Sequence, residues 1–137
     1  MPVIRRAERG DLEAVAAIQS TSPEAAHWAV AEYMQYEFTV SILDGAVAGF
    51  MVWRPLVEGE CELLNLAVEP ANRRHGGASA LLSALEREAT GELFLEVAES
   101  NLPAIALYEH HGWAKTGTRI GYYHSGKING IVMQKRP

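Results

Sequence analysis

The run Arg73-Arg74-His75-Gly76-Gly77-Ala78 follows an apolar segment, Leu63-Leu64-Asn65-Leu66-Ala67-Val68. It opens a stretch in which Ala78, Leu81, Leu82, Leu85 and Ala89 recur at three- and four-residue spacing. A strand, a glycine turn and a helix start therefore come in direct succession. The first N–H groups of a helix have no partner inside it, so this order builds an anion site. Gly76 and Gly77 have no Cβ to hold a phosphate away from the backbone. Arg73 and Arg74 set positive charge beside it. The other reading of the arginines is a solvated basic pair, and the adjacent glycines weigh against it. A phosphorylated cofactor is the expected ligand.

Two further residues have types suited to proton transfer. Glu96 interrupts the apolar segment Leu93-Phe94-Leu95-Glu96-Val97, where a carboxylate ordinarily turns to solvent at a sheet edge. Tyr108 lies in the helical stretch Asn101 to His111, where a half-buried ring beside Ile105 is the plain alternative. The histidines make no metal pattern. His110 and His111 diverge as helix neighbours, and His27, His75 and His124 lack ligand spacing, so no metal is expected. Cys61 has no evident histidine partner and reads as a small core residue. Gly126-Lys127 lacks the preceding glycine and following Ser/Thr of a P-loop, and the spacing around Gly76 departs from the dinucleotide fingerprint.

The chain has 137 residues, 48% of them hydrophobic, which suits a single domain (1–137) with a real core. Its formal net charge of −5 weighs against wrapping nucleic acid and favours a basic substrate. One cysteine makes no internal disulfide and fits a reducing cytoplasm. There is no apolar run of membrane-spanning length and no signal-peptide core. A cytoplasmic protein with no membrane or nucleic-acid partner is the expectation.

The elements that must position these residues alternate. Val3-Ile4-Arg5 reads as a strand, and Asp11 as the cap of a helix carrying Leu12, Val15, Ala16 and Ile18. Ser22-Pro23 resembles a second helix start, with Trp28, Ala31 and Met34 on its apolar face. Phe38 to Leu43 and Val47 to Trp53 form a hairpin about Asp44-Gly45. Cys61 to Val68 is a strand ended by Pro70, and the helix after the glycine turn runs to about Ala89, with Gly91 as its stop signal. Leu93 to Val97 is a strand, Asn101 to His111 a helix closed by Gly112, and Trp113 to Tyr123 and Ile128 to Lys135 the last strands. The order predicts an α/β fold with a mixed, mostly antiparallel sheet flanked by helices.

Taken together, the Arg73-x-x-Gly76-x-Ala78 turn, Leu95-Glu96-Val97 and Asn101-x-x-Ala104-Ile105-Ala106-Leu107-Tyr108-Glu109-x-x-Gly112-Trp113 resemble the GNAT N-acetyltransferase superfamily. Within it they are most similar to the ribosomal-protein-alanine N-acetyltransferases. The close match covers about Glu62 to Tyr123, and the N-terminal half matches only in layout. His27-Trp28-Ala29 stands where such chains commonly carry Pro-Trp-Ser, and the hairpin Ser125 to Gly130 lacks the acidic residues often found there. Both departures fall where the acceptor site is shaped.

The resemblance implies acetyl-CoA as cosubstrate. It implies that Leu66, Ala67 and Val68 offer backbone groups to the pantetheine arm, whose amides can pair like a short strand. It places the Val68 N–H near the thioester oxygen, and it gives the pyrophosphate to Arg73, Arg74, His75, Gly76, Gly77, Ala78 and Ser79. Glu96 becomes the general base that takes the acceptor's proton, directly or through a water, and Tyr108 the general acid that protonates the departing thiolate. Asn101 is a cofactor contact, a helix cap or both. Tyr122 and Tyr123 match a pair that walls the peptide groove, while a plain strand with alternating rings remains open.

Three readings follow. The first is transfer of acetyl to the α-amine of a protein N-terminus, such as that of a ribosomal protein. The second keeps the chemistry and changes the acceptor to a lysine side chain or a small amine. The third is a CoA-binding module without catalysis, which the presence of both Glu96 and Tyr108 weighs against.

Overall fold

The computed structural model describes residues 2–21, 29–57, 59–70, 76–123 and 128–136, and for 122 and 123 the backbone alone. Among these, seven strands join in one sheet of order β1-β2-β3-β4-β5-β7-β6. The strands are β1 (Val3–Arg6), β2 (Glu37–Leu43), β3 (Ala46–Pro55), β4 (Glu60–Val68), β5 (Glu92–Ala98), β6 (Ala114–Tyr123) and β7 (Ile128–Lys135). Only β4 and β5 pair in parallel, as the helix between them requires. The helices are α1 (Leu12–Ser20), α2 (Gly77–Glu88) and α3 (Leu102–His110). The expected mixed, mostly antiparallel sheet between helices is the one observed.

Each face of the sheet has its own core. On one, Val15 and Ile18 of α1 meet Val40, Phe50, Val52 and Ala67. Tyr33, Phe38 and Phe50 form an aromatic group there, with centroids 5.6 to 6.4 Å apart. On the other face, Leu81, Leu82 and Leu85 of α2 cover Met51, Leu63, Leu95 and Met133. All three leucines are fully buried, each contributing about 1.5–3 kcal/mol of apolar transfer. Their recurrence on one side of a helix fixes α2 on the sheet. The first turn of α2 can lie close because Ser41, Gly49 and Gly77 are small where they meet.

The hairpin at Asp44-Gly45 has φ of 52° and 78° at its two turn residues, the pattern that Asp-Gly favours. α3 starts at Asn101, whose side chain accepts the Ala104 N–H at 3.3 Å, and ends where Gly112 takes a φ of 88°.

Three details differ from the sequence expectation. Asp11 does not cap α1 through its side chain. It ends a one-turn 3-10 helix, Arg9–Asp11, accepts the Glu8 N–H at 2.8 Å and receives both guanidinium nitrogens of Arg5. Those Arg5 hydrogen bonds hold its carboxyl below the usual carboxylate range. The start of the second helix at Ser22-Pro23, with Trp28, lies outside the described residues. What is described, Val30–Gln35, is 3-10 helix, and its buried anchor is Tyr33 rather than Ala31, which is exposed. α2 ends at Glu88, where Ala89 turns extended, so Gly91 does not close it. Gly91 lies instead against the Gly59 backbone, where a Cβ would collide.

Candidate active site

The site is organised by a fault in β4. Along β3 the register passes from Val52 opposite Asn65 to Trp53 opposite Leu63, so Leu64 is an extra residue. Such a bulge changes the phase of the strand. Before it, Cys61 and Leu63 face the α2 core; after it, Ala67 faces the α1 core and Leu66 the α2 core. The parallel ladder to β5 stops there as well, with Leu63 opposite Leu95 as its last pair. Beyond it, Asn65, Leu66, Ala67 and Val68 of β4 pair with β3, while Glu96, Val97 and Ala98 of β5 pair with β7. Two strands that begin side by side thus part and leave a wedge.

A buried polar network supports the bulge. Asn65 Oδ1 accepts the Leu66 N–H at 2.9 Å, and Asn65 Nδ2 reaches the Tyr33 hydroxyl at 3.0 Å. That hydroxyl donates to Gln19 Oε1 of α1. Satisfied polar groups of this kind fix one arrangement among apolar alternatives. None of the three was a candidate in the sequence. The only signal was an asparagine within an apolar run.

At the head of the wedge, Gly76 has a φ of 79° and stands as the N-cap of α2. The Ala80 N–H returns to the Gly76 carbonyl, which is the first helical bond. The preceding N–H groups, of Gly77, Ala78 and Ser79, belong to the first turn and have no intrahelical partner. Ser79 Oγ lies 3.0 Å from His111 Nε2. Arg73, Arg74 and His75 lie outside the described residues. Leu66, Ala67 and Val68 line the parted edge of β4.

Glu96 lies on the face of β5 opposite Leu95 and Val97, which enter the α2 core. Its carboxylate is four-fifths buried, not turned fully to solvent. Oε2 meets Arg119 Nη1 of β6 at 3.2 Å. Oε1 is buried and has no hydrogen-bond partner among the described residues. It rests against Gly130 of β7, where a Cβ would stand 2.9 Å away. A buried carboxylate oxygen without a donor is costly and is suited to receiving a proton. Neither Arg119 nor Gly130 was a candidate, since each reaches Glu96 only through strand pairing.

Tyr108 is buried rather than half-exposed, with its ring 5.8 Å from that of Trp113. Asn101 acts as the cap of α3. Tyr122 and Tyr123 are on β6, and their side chains lie outside the described residues. Cys61 is buried, with its thiol 3.5 Å from the Thr90 carbonyl, as a core residue would be. The described residues include no group of three or more His, Cys, Asp or Glu side chains placed to hold a metal ion. No helix of the described residues is long and apolar enough to cross a membrane.

A glycine-headed helix, a parted strand pair and a carboxylate with a free oxygen are a setting for acyl transfer, and the comparisons agree. Residues 5–113 match the family model described as acetyltransferase (GNAT) family. The chain belongs to that family. The [ribosomal protein bS18]-alanine N-acetyltransferase of Escherichia coli is 35% identical over 107 residues, 74% of this chain and 70% of that one. The N-alpha-acetyltransferase of Saccharolobus solfataricus is 33% identical over 106 residues, 66% and 64% of the two chains. The crystal structure of Ard1 from Thermoplasma volcanium superposes with a TM-score of 0.89 at 30% identity, covering 98% of this chain and 97% of that one. The GNAT fold and an acetyl-CoA-dependent N-acetyltransferase activity are therefore those of this chain.

Proposed function

We propose that this enzyme acetylates the α-amine of a protein N-terminus, with the alanine-starting end of a ribosomal protein as the first candidate acceptor. The observation that carries the reading is the wedge. The ladder between β4 and β5 stops at Leu63 and Leu95, with the α2 N-terminus on one side and the unpartnered oxygen of Glu96 on the other. A pantetheine arm is thin and carries strand-like amides, which suits it to the parted edge at Leu66 to Val68. The first turn of α2, with Arg73, Arg74, His75, Gly76, Gly77, Ala78 and Ser79, is the place for the pyrophosphate. Asn101, which caps α3, is assigned a contact to the cofactor as well.

Glu96 takes the proton from the acceptor amine. The neutral nitrogen then bonds to the acetyl carbon as the carbon–sulfur bond breaks, Tyr108 protonates the sulfur, and the second proton shed as the nitrogen becomes an amide returns through solvent to Tyr108. An α-amine loses its proton about two to three pH units more readily than a lysine side chain, so one carboxylate suffices to prepare it. Two of the relatives named above are described as a ribosomal-protein-alanine N-acetyltransferase and an N-alpha-acetyltransferase, which supports the same acceptor class here. Tyr122 and Tyr123 are assigned to the peptide groove, and the net charge of −5 suits a basic peptide. A cytoplasmic location goes with this role.

Thiol release and mass spectrometry on a peptide panel test the acceptor. Peptides with a free N-terminus should be acetylated there, faster than the same peptides blocked at the N-terminus with an internal lysine free. Acetyl found only on lysine, or only on small amines, would overturn the reading.

A further inference from the structure

His111 follows the last residue of α3, yet its ring reaches α2. Nε2 lies 3.0 Å from Ser79 Oγ, in the turn assigned above to the pyrophosphate. Nδ1 lies 3.7 Å from Glu86 Oε1, two turns further along α2. Lys135 of β7 closes the group, with Nζ 2.7 Å from the same Glu86 oxygen and 2.5 Å from the His111 carbonyl. Among the described residues, the titratable and charged groups about the ring are Glu86 of α2, Lys135 of β7 and the exposed neighbour His110 of α3, 6.0 Å away between centroids. The ring itself is mostly buried.

We infer that His111 is a positioning residue for the acetyl donor: it turns the Ser79 hydroxyl toward a phosphate oxygen and takes up a proton as the donor binds. The inference rests on the phosphate placement proposed above. A serine has one proton and two lone pairs. When Nε2 carries no hydrogen, Ser79 donates to the ring and only its lone pairs are left for the anion, which repels them. When Nε2 carries a hydrogen, the ring donates to Oγ and the hydroxyl proton is released toward the phosphate. A neutral ring of that tautomer sets the bare Nδ1 against the Glu86 carboxylate. The imidazolium donates to Oγ and sets positive charge toward Glu86, 3.7 Å from Nδ1. Lys135 offsets part of the Glu86 charge, and an arriving phosphate adds a second anion beside the ring, which favours its protonated form. Binding and proton uptake are then linked, and affinity for the donor rises as pH falls.

Calorimetry of acetyl-CoA binding in two buffers of different ionisation enthalpy reads the protons taken up. His111→Gln keeps an N–H donor but cannot titrate, and Ser79→Ala removes the link. The wild type should take up more proton at pH 7 than either variant, and its affinity should gain about three- to tenfold over theirs between pH 8 and pH 6. The 3′-phosphate of the ligand titrates equally in all three and cancels. A purely structural role would weaken binding by the same factor at every pH. S-acetylpantetheine, which lacks the pyrophosphate, should bind wild type and variants alike. Equal proton uptake in folded wild type, His111→Gln and Ser79→Ala, with acetyl-CoA still bound more tightly than S-acetylpantetheine, would overturn the His111 assignment alone. Equal affinity of wild type for acetyl-CoA and S-acetylpantetheine would overturn the phosphate placement beneath it.

Discussion

Glu96 and Tyr108 stand on opposite sides of β5, one mostly buried beside Arg119 and the other in the α2 core. The environment of each fits a different step. Arg119 fixes one carboxylate oxygen and leaves the other without a donor, as a base requires. Tyr108 is held by Trp113, so Tyr108→Phe preserves the packing and removes only the hydroxyl. Glu96→Gln likewise keeps the shape and removes the base. Each should lower turnover by about a hundredfold or more, with acetyl-CoA affinity little changed. Steady-state kinetics with a verified native fold check this, and wild-type turnover in both would remove them from the chemistry. The sequence marked these two residues because a carboxylate in an apolar strand and a tyrosine in a recognisable helix are visible locally. It did not show Arg119 or Gly130, which become neighbours of Glu96 only when β7 inserts between β5 and β6.

At the level of elements, strands and helices were legible where one property alternates with the right period, as in Leu81, Leu82 and Leu85 of α2. The bulge at Leu64 was not, because Leu63 to Val68 is apolar on both phases except at Asn65, and a change of phase leaves no trace in such a run. Asp11 was misassigned because a preceding 3-10 turn and Arg5 compete for the same carboxylate. The glycine turn was read for its missing Cβ, and the structure adds its backbone. Gly76 is left-handed, and among the described residues nothing lies within 4 Å of where its Cβ would be. Two substitutions separate these effects. Asn tolerates the left-handed region, whereas Val is strained there. Gly76→Val should destabilise the protein by about 1–3 kcal/mol and abolish tight acetyl-CoA binding. Gly76→Asn should fold with near-native stability and still bind acetyl-CoA weakly, because its side chain crowds the phosphate. Denaturant melts with calorimetry distinguish the two, and native affinity in a folded Gly76→Asn protein would move the phosphate elsewhere.

Across the whole molecule, the sheet is two blocks joined by little. Strands β1 to β4 form one and β5, β7 and β6 the other, and the ladder between them runs only from Glu60–Glu92 to Leu63–Leu95. The core beneath α2, which draws Met51 and Leu63 from one block and Leu95 and Met133 from the other, is a second bond. A ligand that lies along the parted edge would therefore bridge the blocks as well as occupy a site. At a hundredfold excess over its dissociation constant, a donor that binds only the folded protein adds about 2.7 kcal/mol of stability, or roughly 8–10 °C in melting temperature for a domain of this size. The gain should have a location. Hydrogen exchange should slow at residues 64–68 and 96–98, on the two sides of the wedge, and much less at β1 and the outer edge of β6. S-acetylpantetheine, which reaches the wedge without engaging the α2 N-terminus, should protect the same strand segments and leave the first turn of α2 exchanging as in the free protein. Acetyl-CoA binding that raises the melting temperature while leaving 64–68 and 96–98 unprotected would show that the donor lies outside the wedge.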